Sequence, residues 1–168
     1  MFKHLVVVLL VAATAAGAAR LSYGVGVSLY RPPDENATWA PLINGYVTYW
    51  WAPQVNSTLS VGYSWYNADI ENRTDVKFNY MPVTLYTAYH FVRNKQLDPF
   101  AGVGVVYSRK WWDGGKTNDV GFAGLVGVNY YPSEHFGAGI ALEYVVPDAG
   151  DFDSAYPAIT FNIGGVSF

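Results

Sequence analysis

The fold turns on one stretch, Asp119-Val-Gly-Phe-Ala-Gly-Leu-Val-Gly-Val-Asn-Tyr-Tyr-Pro-Ser-Glu-His-Phe-Gly-Ala-Gly-Ile-Ala-Leu-Glu-Tyr-Val-Val146. From Val120 the even positions read Val120, Phe122, Gly124, Val126, Val128 and Tyr130, and the odd ones between them Gly121, Ala123, Leu125, Gly127 and Asn129. After Tyr131-Pro-Ser-Glu134 the alternation resumes as Phe136, Ala138, Ile140, Leu142, Tyr144 and Val146 against His135, Gly137, Gly139, Ala141 and Glu143. A period of two means extended strand, because successive side chains leave opposite faces of the pleat. Two such runs across a short proline-containing turn make an antiparallel hairpin. One face is large, apolar and aromatic. The other is mostly glycine and alanine, almost uncharged, and too small to be a solvated surface. A soluble sandwich buries its bulky apolar face and presents charge outside. Here the small face reads as the inner wall of a narrow barrel whose apolar face meets lipid.

Composition agrees. Aromatic residues make up 17% of the chain and charged residues only 14%, against about 25% charged in an ordinary soluble domain. The chain has no cysteine, which excludes a disulfide framework and a Cys-based metal site. A formal charge of -3 is too small to suggest nucleic acid, and none is expected as a partner. Met1-Phe-Lys-His followed by Leu5 to Ala16 and Ala16-Gly-Ala-Ala19 reads as a secretory signal peptide over 1–19. Its apolar run is shorter than the roughly 20 residues of a spanning helix. The mature barrel domain then covers 20–168.

The hairpin's alternation extends in both directions. Leu21, Tyr23, Val25, Val27 and Leu29 alternate with Ser22, Gly24, Gly26 and Ser28, a length close to the roughly 9–11 residues of a tilted membrane-crossing strand. A polar loop, 31–38, leads to a second strand over about 42–51, with Ile43, Val47, Tyr49 and Trp51 on one side and Asn44, Tyr46, Thr48 and Trp50 on the other. After a short turn at 52–56, Leu59, Val61, Tyr63 and Trp65 alternate with Ser60, Gly62, Ser64 and Tyr66, and 67–75 reads as a polar loop. In the fourth strand the apolar residues fall on even positions up to Tyr80 and on odd ones from Val83. That pattern predicts a bulge at Tyr80-Met-Pro82. The turn 92–98, a strand at Ala101–Ser108 and a loop at 109–118 complete the approach to the opening hairpin. Beyond it come a loop at 147–154 and a last strand from about Tyr156, whose phase slips at Gly164-Gly165. Eight strands result, with long and short connections in strict alternation, as in an all-β, antiparallel, up-and-down transmembrane barrel. Tyr49, Trp51, Tyr89, Phe91, Tyr130, Phe136 and Phe168 gather at one end of the strands and Trp65, Tyr107 and Tyr144 at the other, forming two aromatic girdles.

Gly-rich alternating strands, Pro99-Phe-Ala-Gly-Val-Gly-Val105, Met81-Pro-Val-Thr-Leu-Tyr86 and the terminal Phe168 give a chain that resembles the small outer-membrane β-barrel family. This family includes the eight-stranded OmpA/OmpX-like proteins of Gram-negative envelopes. The resemblance implies residence in the cell outer membrane, contact with its lipid and lipopolysaccharide, and a role for Phe168 as the assembly signal read by the barrel-insertion machinery. It also implies possible host or surface ligands reached through the loops.

Candidate sites are few. Glu143 is the carboxylate that phase places on the inner wall, so a lumen ion pair is expected, with Lys77 or Lys110 as partner. Arg109, Lys110, Trp111, Trp112 and Lys116 form a basic, aromatic loop suited either to a neighbouring acidic loop or to the phosphates of lipopolysaccharide. Asp148, Asp151 and Asp153 could gather calcium or be a solvated acidic loop. Some barrels of the wider class modify lipid A with a His and a Ser two apart on a lipid-facing strand. Here His90 has Val92 at that offset, and Ser133 with His135 lies in a turn, so no enzymatic activity is expected. No cofactor and no metal are expected either. The reading is a structural or surface-interaction barrel without an open pore, its lumen filled by bulky residues packed across to glycine. The alternative is an OmpW-like conduit or binding site for small apolar molecules. A soluble lipocalin-like carrier is disfavoured by the girdles and by Phe168.

Overall fold

The computed structural model describes residues 21–166 except 35, 71–72, 93–95 and 134. The expected signal peptide and Phe168 lie outside the described residues. Eight strands, β1 (Leu21–Tyr30), β2 (Ala40–Ala52), β3 (Val55–Ile70), β4 (Arg73–His90), β5 (Leu97–Trp112), β6 (Gly115–Ser133), β7 (Phe136–Val146) and β8 (Tyr156–Val166), pair in chain order. β8 closes antiparallel on β1, which makes a closed barrel and removes both sheet edges.

The two faces separate as the alternation requires. Val25, Val27, Val47, Val103, Val105, Val126, Leu142, Phe161 and Ile163 are exposed on the outer wall. Ser22, Ser28, Thr48, Ser64, Thr84, Ser108 and Thr160 are buried on the inner one. Exposed aromatics mark both ends of the outer belt. Tyr49 stacks edge-on against Trp51 and Tyr89 against Phe91 at one end. Tyr63 lies between Trp65 and Trp111 at the other.

Two expectations are corrected. The fourth strand carries no bulge at Tyr80-Met-Pro82: Val61↔Val83 and Ser64↔Tyr80 keep one register, β4 pairs with β5 without interruption from Phe78 to His90, and the register of β3 on β4 shifts instead near the strand tip, between Ala68 and Ile70. Pro82, lacking an N–H, leaves a gap in the β3 ladder but does not shift it. Val76, Phe78 and Tyr80 are buried inside, so the apparent slip is a change in what the inner wall is made of. In the same way β8 pairs with β7 in one register through Gly164 and Gly165. The second correction concerns the stretches 67–75 and 109–118, which are mostly strand. β3 to β6 are 16, 18, 16 and 19 residues long, far beyond what a bilayer crossing needs. Their polar ends pair in water. The β5–β6 turn shrinks to Asp113-Gly114, with Gly114 at φ 105, a conformation open to glycine. Connection lengths therefore do not alternate; the two long ones are 31–39 and 147–155.

Candidate functional site

The lumen is built in three layers. Nearest the short turns, at the turn end, His90 and Asp98 are both almost fully buried. Asp98 can only accept, so His90 Nδ1–H donates to its Oδ2 at 2.7 Å, and Nε2 is left to accept from Asn56 Nδ2 at 2.8 Å. Trp50 and Phe100 pack on the imidazole, at 4.5 and 5.3 Å between ring centroids. This cluster ties the ends of β3, β4 and β5 together. The sequence reading put Asp98 in a turn and missed it, although Asp98 and Phe100 share the phase of Gly102 and Gly104.

In the middle layer Tyr86 from β4 crosses the barrel and donates to Glu143 Oε2 on β7 at 2.8 Å. Thr160 donates to the other carboxylate oxygen at 2.5 Å. The expected ion pair does not form. Lys77 sits on β4 between buried Val76 and Phe78 and points outward, exposed. Lys110 points inward but binds Asp34, 2.7 Å away. The luminal glycines are covered mainly from the neighbouring strand and not from the far wall. A Cβ at Gly24 would meet Tyr46, one at Gly104 would meet Tyr86, one at Gly127 would meet Phe100, and one at Gly139 would meet Asn129. Each of these is the glycine's direct cross-strand partner. Side chains laid flat along the wall leave an axial cavity of about 170 Å³, lined among others by Asn44, Thr84, Glu143 and Asn162.

Above it aromatics pack the lumen. Tyr30, Tyr66, Phe78, Tyr80 and Tyr156 are buried together. Tyr30 stacks 5.0 Å from Tyr156 and 5.8 Å from Tyr80, while the hydroxyls of Tyr80 and Tyr156 meet at 2.9 Å. Residues 31–34 and 36–39 fold over this plug. Asp34 accepts from Tyr66 at 2.6 Å and pairs with Lys110, whose ammonium lies 5.4 Å over the Phe78 ring. Asn36 donates to Asp69 at 2.7 Å.

The five residues read as one surface loop divide by strand phase. Lys110 and Trp112 face inward, Trp112 against Phe78 at 5.3 Å. Arg109, Trp111 and Lys116 face outward; the Arg109 guanidinium lies 5.7 Å over Trp111, and Lys116 pairs across the ladder with Trp111. Outward Lys77 lies further toward the strand tip, paired across the ladder with Asn67, beyond the level of Trp65, Asn79 and Trp111. Lys77, Arg109 and Lys116 make no ion pair with the acidic last loop. There Asp148 accepts from Gly150, and Asp151 caps the turn Phe152–Ser154. The described residues hold no group of three His, Cys, Asp or Glu suited to a metal.

A family model described as outer membrane protein beta-barrel domain matches residues 4–164. Among solved structures, Neisserial surface protein A superposes with a TM-score of 0.64 at 13% identity, over 88% of this chain and 97% of that one. OprG from Pseudomonas aeruginosa gives 0.63 at 15%, over 88% and 93%. The N-terminal β-barrel domain of Pseudomonas aeruginosa OprF gives 0.59 at 18%, over 88% and 98%. At such identities the likeness is one of fold. No curated protein matches the chain significantly.

Proposed function

The chain belongs to the outer membrane protein beta-barrel domain family and resides in the cell outer membrane, and from that premise we propose that it works as a closed barrel through its outer surface. The observation that carries this reading is the tyrosine plug under the fastened 31–39 segment. It packs buried aromatic side chains across the lumen beneath that segment. Passage of small apolar molecules along the lumen is disfavoured for a further reason. The cavity, about 170 Å³, is smaller than the roughly 300 Å³ at which small-molecule pockets begin. The reading is non-enzymatic: both ring nitrogens of His90 are engaged, by Asp98 and Asn56, so the ring has no free nitrogen to activate a serine.

The outward strip of Lys77, Arg109 and Lys116 is the working surface. It lies at the long-strand end, which this reading turns to the outside, level with lipid headgroups. There cations at and beyond the interfacial aromatics suit the phosphate groups of lipopolysaccharide. Each cation near an anionic lipid surface contributes about 1 kcal/mol. Replacing Lys77, Arg109 and Lys116 together by Ser should therefore weaken binding of purified barrel to lipid A-containing nanodiscs at least tenfold. Binding to nanodiscs of zwitterionic lipid should not change. Undiminished retention of lipid A by the triple variant would contradict the assignment.

A further inference from the structure

A carboxylate in a lumen wall is costly unless its charge is balanced. Among the described residues no cation reaches Glu143; the ion pairs are Arg73–Asp113 and Lys110–Asp34, and His90 is held by Asp98. Glu143 receives hydroxyl protons instead, from Tyr86 and from Thr160. With its proton so committed, Thr160 accepts from Ser28, 2.7 Å away. Ser28 in turn accepts from Asn44 Nδ2 at 3.4 Å. The donors run one way and end on Glu143. The same logic orients the Asn44 amide. Its Nδ2 faces Ser28, and its Oδ1 is buried without a donor among the described residues. That oxygen lies over Gly26, where Asn162 Oδ1 from β8 also lies. The cavity these groups line thus holds one carboxylate and the unpaired Asn44 oxygen, while the Thr160 and Ser28 hydroxyl protons beside them are already used.

We propose that this cavity binds a compact monovalent cation, an alkali-metal or ammonium ion, through the Glu143 charge and the amide oxygens of Asn44 and Asn162. A single carboxylate does not suit calcium, which takes several charged oxygens. A larger organic cation does not suit a space of about 170 Å³. The site goes beyond the closed-barrel reading and is independent of it, since a sealed barrel could equally leave Glu143 without a cation.

The test is thermal unfolding of the purified protein in a zwitterionic detergent. The chloride salts of sodium, potassium, ammonium and N-methylglucamine are compared at one ionic strength. At least one compact cation should raise the Tm by about 3–5 °C over N-methylglucamine, the size that a tenfold excess over Kd gives a domain of this length. Comparing the alkali and ammonium arms identifies the ion. E143Q, which keeps the shape and loses the charge, should show one Tm in all four salts. If E143Q does not fold, equilibrium dialysis of the wild type against radioactive rubidium and ammonium chlorides decides, with one competed cation per chain expected. Equal wild-type Tm in all salts, an E143Q variant that keeps the shift, or no bound cation on dialysis would each overturn the proposal.

Discussion

Val103→Arg is expected to destabilise the barrel by about 2–4 kcal/mol, the cost of an arginine on the lipid face at the bilayer midplane. Val103 is 70% exposed and lies on β5 between Leu97 at the turn end and Tyr107 at the girdle above. Its ladder partners are Thr87 and Gly124, so no carboxylate stands opposite to pair with the new cation. Val103→Leu keeps the surface apolar and should fold as the wild type does. Reversible urea unfolding in lipid vesicles measures both. An arginine cost below about 0.5 kcal/mol would mean that this face does not meet hydrocarbon.

Gly121→Val is expected to cost more than about 3 kcal/mol or to block folding. A Cβ at Gly121 would run into the carbonyl oxygen of Val146 and stand 2.7 Å from the carbonyl carbon and oxygen of Pro147. These are backbone atoms that cannot swing aside, and Val146 is itself buried where β7 bends into the last loop. Gly45 and Gly124 are the contrast, because a Cβ at either meets nothing within 4 Å. Val at those positions adds apolar surface toward lipid and suits a strand better than glycine, so each should be neutral or stabilising. Heat-modifiable gel mobility of the three refolded variants separates the cases. A well-folded Gly121→Val would refute the close approach of β6 to the end of β7.

These contrasts show what alternation can reveal. For most strands the rule that the apolar face meets lipid assigned every residue correctly, because a lumen of serine, threonine and glycine contrasts with it. It failed on β4, where Val76, Phe78 and Tyr80 are as apolar as any lipid-facing residue yet form the plug. Hydrophobicity alone cannot tell a membrane face from a dry interior. Polarity misled in the opposite direction at 67–75 and 109–118. A strand that has left the bilayer is polar on its outer face and keeps its ladder, so Trp112 went unrecognised as inward and Lys110 was read both as a lumen partner and as part of a surface loop. The period of two, continued from Ser108, would have separated them from Arg109 and Trp111. The contacts that close the lumen were beyond reach for another reason. Asp34–Lys110, Tyr80–Tyr156 and Tyr86–Glu143 join strands or loops that are not neighbours in the sheet, and their meeting depends on how the barrel closes.

The central claim is that the lumen is sealed, and single-channel recording across a planar bilayer tests it most directly. Eight strands leave an interior that side chains can fill, and here Tyr30, Tyr80 and Tyr156 fill its upper half. Purified wild-type protein, shown to be folded by its gel mobility, should insert and give no stable conductance steps in salt. Regular, reproducible openings that disappear when the side chain at Gly104 or Gly127 is enlarged would show an open wall and contradict the account.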